Sequence, residues 1–292
     1  MKTIDEHTIT QAVLDSFGGC HDDRLRTVMA SLVRHLHAFA SEVKLTEEEW
    51  FTGIRFVTDV GQMCDDKRQE FILLSDTLGL SMLVTALNNE RPQGCTEATV
   101  FGPFFVEKAP EVANGADIAQ GAQGEPCYVS GKVCGLDGTP IANAQIDVWQ
   151  SDEAGFYDVQ YADIGQHQAR ARLHSRTDGS FDFWSILAVP YQIPNDGPVG
   201  KMLANLGRHA WRPAHLHFMI VAAGYERLIT HVFRSDGPYL DSDAVFGVRP
   251  TLVADWVRHE VGAAPDGTTS DRPFYTLDYA FVLNPTSHQS AA

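Results

Sequence analysis

The sequence predicts a mainly β fold with an α-helical N-terminal domain, the β part being an antiparallel β-sandwich. Two textures and one boundary carry that reading. Up to Leu87, apolar residues recur at steps of three and four, the period of a helix buried along one side. From Gly94 onward, short runs rich in β-branched and aromatic residues alternate with Gly, Pro and Asp turns. Between them "NNERPQG" interrupts both patterns, which places a boundary near residue 95 and divides the chain into 1–95 and 96–292.

In the first long helix, Leu25, Val28, Met29, Leu32, Val33, Leu36 and Phe39 share one face behind the cap candidates Asp22 and Asp23. In "TEEEW", Thr46 and Glu49 have capping-box spacing and start a second helix through Trp50, Ile54 and Val57. A third is expected from about Asp66 to Leu87, with Phe71, Leu74, Leu78 and Met82 on one side. "EVANGADIAQGAQGEP" reads as loop. Beyond it "CYVSGKV", "AQIDVWQ", "RLHSRT", "SFDFWSI", "HLHFMIV", "LITHVFR" and "DYAFVLN" have strand character, with "LDGTP" and "TDGS" as turns.

A net charge of −16 argues against nucleic acid and anionic membrane, because both need a basic face. No run approaches the roughly 18 apolar residues of a membrane span. "MKTIDEHTITQAVLDSFGG" has acidic residues where a secretory leader needs an apolar core. Cys20, Cys64, Cys95, Cys127 and Cys134 are scattered and form no C-x-x-C pair, so reduced thiols and a cytoplasmic location are expected.

Chemistry concentrates in "GRHAWRPAHLHF". His215 and His217 lie at i and i+2 of a strand-like run, on one face and about 6.8 Å apart between Cα atoms. Two imidazoles there can reach one metal ion, or serve as hydrogen-bonded core histidines. Zinc, copper and iron all accept imidazole, so the metal stays open at this point. His231, on the next strand segment, offers a three-histidine zinc site. Tyr157 in "DEAGFYDVQ" and Tyr191 in "LAVPYQIPNDGP" offer phenolate oxygens, although a tyrosine is more often a packed aromatic with a bonded hydroxyl.

The order G-F-Y, V-P-Y-x-I-P, then G-R-H-x-x-R-P-A-H-L-H-F resembles the intradiol ring-cleavage dioxygenases. The likeness covers nearly the whole chain, including "TEATVFGPFF". It implies one non-haem Fe(3+) held by Tyr157, Tyr191, His215 and His217, with Tyr191 the ligand an incoming diol displaces. Two tyrosinates favour ferric over ferrous iron. With one hydroxide they cancel its charge, which suits a buried site. A diol dianion in place of one tyrosinate and the hydroxide keeps that balance. Arg212, shortly before His215, is implied to stabilise negative charge on the ring. His231 stands where catechol-cleaving relatives tend to carry Gln; a neutral His can supply the same donor, and its role stays open.

The same resemblance places pocket walls on the third helix and the linker: Leu73 and Asp76, then Val100, Phe101, Gly102, Pro103 and Phe104. Ile193, Pro194, Arg212 and Val245 complete them. "YQIPNDGPVG" and "ITHVF" are most similar to the hydroxyquinol-cleaving branch. The implied reaction is cleavage of hydroxyquinol (benzene-1,2,4-triol) by O2 to 3-hydroxy-cis,cis-muconate, the enol form of maleylacetate. Asp76 would accept a hydrogen bond from the third hydroxyl. Catechol or chlorocatechol 1,2-dioxygenation is the nearest alternative. Likeness also implies a homodimer through the N-terminal helices, which in relatives bind a phospholipid. Outside this class, "SGKVCGLDGTPIANAQIDVWQSDEAGFY" resembles transthyretin-like sandwich binding modules, which explains a fold but not the Tyr-Tyr-His-His set. His35, His37, His174 and His209 read as surface or packing residues. Asp152 and Glu153 are adjacent, so they point to opposite faces.

Overall fold

The computed structural model describes residues 4–65, 68–162 and 164–286. By their contacts they form two compact units, one ending at Asp59 and one beginning at Val60. The first holds α1 (Ile9–Asp15), α2 (Asp23–Glu42) and most of α3 (Glu47–Gln62). Asp22 caps α2 by accepting the Leu25 N–H at 2.9 Å. The capping box of α3 is present: the Thr46 N–H donates to Glu49 Oε2 at 2.9 Å, and the Glu49 N–H donates back to Thr46 Oγ1 at 3.3 Å. The apolar row of α2 (Leu25, Leu32, Leu36 and Phe39 among it) is exposed.

The single third helix expected from the sequence is two helices, α4 (Glu70–Thr77) and α5 (Leu80–Asn88), bent by 78°. Between them Gly79 takes φ +75°, the left-handed conformation that ends a helix. Periodicity could not reveal the bend, because the apolar spacing runs on through it. Asp66, where that helix was expected to start, lies outside the described residues. Among the described residues no single helix is long and apolar enough to cross a membrane.

The second unit is built on two sheets. Its elements are β1 (Pro126–Gly135), β2 (Gln145–Trp149), β3 (Arg170–His174), β4 (Ser180–Ile186), β5 (Tyr191–Gln192), α6 (Pro198–Asn205), β6 (Trp211–Arg212), β7 (His215–Val221) and β8 (Leu228–Arg234). They continue with β9 (Val253–Ala254), β10 (Val257–His259), β11 (Gly262–Ala263), β12 (Thr269–Ser270) and β13 (Phe274–Leu283). One sheet has the order β10-β13-β1-β4, the other β3-β2-β7-β8-β9. Every segment read as strand from the sequence contains a strand, although the one in "RLHSRT" ends at His174. The pairing is antiparallel except for β1 with β13 and β8 with β9, which run parallel. The sandwich is therefore mixed at these two seams. Neither pair is joined by a tight hairpin, so nothing local forces the chain to reverse.

Alternation along β7 builds the core. Leu216, Phe218 and Ile220 belong to the cluster between the sheets, with Ile146, Val148, Leu173, Val129 and Val133. Phe218 lies 4.7 Å from Phe281 and meets Phe181 edge-on at 6.3 Å between ring centres. Each such side chain gains about 1.5–3 kcal/mol by leaving water. His215 and His217 point the other way and are buried as well.

Candidate active site

Arg170, Trp149, His217 and His231 are successive register partners across β3, β2, β7 and β8. Directly opposed residues share a sheet face, so the four form one row on the outer side of the five-stranded sheet. Trp149 stacks on His217 at 4.7 Å, and His231 meets His217 edge-on at 4.1 Å. His215 joins on the same face, 4.8 Å from His217. Two local devices bring in the tyrosines. The short pair β5–β6, unforeseen from the sequence, sets Tyr191 opposite Arg212. Tyr157 is fixed by its N–H, which donates to Gln160 Oε1 at 2.8 Å. The glycine of the G-F-Y motif lets the tyrosines approach: a Cβ on Gly155 would lie 2.8 Å from Tyr191 Cβ.

Four donor atoms converge. Tyr157 Oη lies 2.8 Å from His217 Nε2 and 3.3 Å from Tyr191 Oη, and His217 Nε2 lies 3.2 Å from His215 Nε2. None of the four residues is more than 6% exposed. His215 donates its Nδ1–H to the Pro213 carbonyl at 2.7 Å, so its Nε2 bears a lone pair. The Tyr157 hydroxyl donates to Tyr191 Oη, and its oxygen also lies against His217 Nε2. Two imidazole nitrogens and two phenol oxygens buried this close together are a donor set that a cation can take. His217 Nδ1 and His231 Nε2 are buried with no hydrogen-bond partner. One ligand atom from each of His215, His217 and His231 lies within 4.8 Å of the others. The residues fit a metal ion.

The titration states agree with that fit. Burial holds His215, His217 and His231 well below the ordinary imidazole range, with Arg212 and, for His217 and His231, neighbouring imidazoles adding to the effect. Neutral imidazole is the ligating form. Burial pushes the Tyr157 phenol well above its usual range and Tyr191 adds to this, while Arg212 and Arg170 oppose it. A bound cation reverses that balance and favours phenolate.

Arg212 is 3% exposed and paired with Asp243, at 3.1 Å through Nε and 3.3 Å through Nη2. Its Nη1 faces His215 Nε2 at 3.2 Å and Tyr191 Oη at 3.4 Å. Burial works against its charge, but Asp243 and the two phenols more than offset this and raise its pKa. Asp76 on α4 is 6% exposed. Burial raises its carboxyl pKa and Asp243 adds to this, whereas Ser81 and Arg212 oppose. Asp243 was missed in the sequence. The one available signal was that an arginine beside buried ligands needs a carboxylate.

Leu73, Pro103, Phe104, Ile193 and Pro194 line a cavity of about 1170 Å³ together with Tyr191 and Trp211. Phe104 stacks on Tyr157 at 4.4 Å. The other expected wall residues do not line it. Val100 and Val245 are buried, and the Val245 N–H donates to Asp243 at 3.3 Å. Phe101 is 40% exposed and leans on Phe105 and on the edge of Trp149. Gly102 has φ +76°, and a Cβ there would sit 3.2 Å from the His217 ring. His231 Nδ1 lies 3.4 Å from Thr99 Oγ1. His37 bonds Thr10 and His209 bonds Ser242; neither joins the histidine cluster.

Residues 100–285 match the family described as "Dioxygenase", and residues 22–96 match "Catechol dioxygenase N terminus". With this fold and site, the chain belongs to the intradiol ring-cleavage dioxygenases, enzymes that act on aromatic diols with O2. It is 58% identical over 286 residues to the 6-chlorohydroxyquinol 1,2-dioxygenase of Cupriavidus pinatubonensis, covering 98% of this chain and 100% of that one. It is 52% identical over 281 residues to the hydroxyquinol 1,2-dioxygenase of Nocardioides simplex, covering 96% of each. The solved structure of hydroxyquinol 1,2-dioxygenase from Pseudomonas putida superposes with a TM-score of 0.90 at 48% identity, covering 96% of this chain and 98% of that one. The two family matches meet between residues 96 and 100, whereas contacts divide the chain after Asp59.

Proposed function

We propose that this chain cleaves hydroxyquinol between its adjacent hydroxylated carbons with O2, giving 3-hydroxy-cis,cis-muconate in the breakdown of aromatic compounds. The observation that carries the reading is the convergence of Tyr157, Tyr191, His215 and His217 beside the buried Arg212. It is supported by about half identity to enzymes named for hydroxyquinol. These four residues would hold one non-haem Fe(3+), which when bound supplies Lewis acidity toward a chelated diol ring.

The rest falls to the chain. The Pro213 carbonyl fixes the His215 tautomer, so that Nε2 is the ligating atom. Of the four, Tyr191 would be the residue whose Oη takes a proton from a substrate hydroxyl. Arg212 Nη1, already 3.4 Å from that oxygen, faces the negative charge that develops on the ring. Leu73, Phe104, Ile193 and Pro194 exclude water. Asp76, buried near Arg212 but outside the cavity lining, is the carboxylate assigned to accept from the third hydroxyl, which would separate hydroxyquinol from catechol. His231 offers a neutral nitrogen on the same face.

The exposed apolar row of α2 supports a homodimer contact and a bound phospholipid chain. The unpaired cysteines support a cytoplasmic setting.

Metal analysis with visible spectroscopy tests the reading. One iron per chain, with a tyrosinate-to-metal band that changes on adding hydroxyquinol, is expected. The three-histidine cluster favours a second reading, a zinc enzyme, and a colourless zinc protein would put that in place of the first.

A further inference from the structure

A guanidinium sits on a long, flexible stem, so a buried arginine acts at a defined point only if something fixes its plane. For Arg212 the question is sharp, because only Nη1 faces the converging atoms, 3.2 Å from His215 Nε2 and 3.4 Å from Tyr191 Oη. The opposite edge, Nε and Nη2, is taken by the two carboxylate oxygens of Asp243 at 3.1 and 3.3 Å. Both side chains are at most 3% exposed. A fork-on-fork pair fixes two N–H directions in one plane and thereby the third.

Asp243 is itself held by its own turn. Its Oδ1 accepts the Val245 N–H at 3.3 Å, and its Oδ2 accepts the Gly247 N–H at 2.9 Å. Gly247 is packed against the pair: a Cβ there would lie 3.0 Å from Arg212 Nη2, 3.1 Å from Asp243 Oδ2 and 3.2 Å from Thr99 Oγ1. The ion pair therefore rests on bare backbone, with no space into which the guanidinium could swing on that side.

We propose that Asp243 is a positioning residue for ring cleavage: it clamps Arg212 edge-on so that Nη1 alone is presented to Tyr191 Oη and to the charge developing on the substrate. The inference rests on the proposed function for what Arg212 does. Without the clamp Arg212 remains a cation but loses its aim, and a donor that must reorient during the reaction stabilises charge less well than one already in place.

The test compares wild-type holoenzyme with Asp243→Asn, Arg212→Lys and the double variant, each normalised to bound iron. Asp243→Asn keeps the size of the side chain and is expected to retain iron. Its visible band moves to longer wavelength, because the phenolate of Tyr191 loses a well-aimed donor. Its kcat falls on the order of tenfold to a hundredfold while KM stays within about threefold. In the double variant the Asp243→Asn loss disappears, since it acts only through Arg212. If Asp243→Asn does not fold, Gly247→Ala presses on the same pair without removing charge, and the same band shift and kcat loss are expected in smaller measure. Per-iron kcat and band position equal to wild type in whichever variant folds overturn the inference. So does a loss that adds in full to that of Arg212→Lys. Wild-type protein lacking iron and the tyrosinate band overturns the proposed function instead, so the two failures are distinct.

Discussion

Leu216, Phe218 and Ile220 on one face of β7 and His215 and His217 on the other are equally buried, yet the two faces are held in opposite ways. On the core face, removal from water is itself the stabilising event. On the site face, burial opposes every ionisable group, and each needs a partner. Arg212 has Asp243, and His215 has the Pro213 carbonyl. His217 Nδ1 and His231 Nε2 have none. Burial alone therefore does not separate structure from function in this molecule; the polar chemistry gathered on one face of β7 does.

Adjacent substitutions on β7 test that contrast most strongly. His217→Ala should leave the chain folded while iron content collapses and activity falls by at least about a thousandfold. Phe218→Ala should cost about 3–5 kcal/mol in denaturant unfolding yet leave turnover per folded, iron-loaded molecule near wild type. If Phe218→Ala abolished iron binding at unchanged stability, the division between the faces would be wrong.

Acid should act on the site face alone. Burial holds His215, His217 and His231 below the range they have in the unfolded chain. Their contribution to stability is then complete above about pH 6.5 and is lost as pH falls below it, because the unfolded chain binds the extra protons. Metal-free protein should lose up to about 1.4 kcal/mol per pH unit for each of these histidines. Denaturant midpoints between pH 7 and 5 would read this, and His217→Ala should flatten the slope by one proton.

A smaller effect is expected at Tyr191. Tyr191→Phe should retain iron through Tyr157, His215 and His217, lose part of the visible band and slow turnover on the order of a hundredfold. An unchanged band would remove Tyr191 from the ligand set. Smaller again is Asp76→Ala, which should lower kcat/KM for hydroxyquinol about tenfold to a hundredfold while catechol changes little. Equal losses on both substrates would deny Asp76 its part in selectivity.

Local patterns made the strands legible, because alternation reports which side of a strand is buried. The order of the tyrosine and histidine motifs pointed to the four residues that the fold brings within hydrogen-bond distance of one another. What was not legible depends on pairing across sequence distance. Asp243 lies 31 residues from Arg212, and no spacing rule links them. The β5–β6 pair is too short to leave a period, and the bend at Gly79 sits inside an unbroken apolar rhythm. The burial of Asp76 near an arginine was not legible either, because helical periodicity ranks faces by apolar content.

The most direct measurement is oxygen uptake by iron-replete protein offered hydroxyquinol or catechol, with an enzyme-free control for autoxidation. One O2 consumed per hydroxyquinol, with a strong preference over catechol, is the expected result. Preference for catechol would contradict the substrate assignment, and no uptake with either would contradict the proposed chemistry of the site.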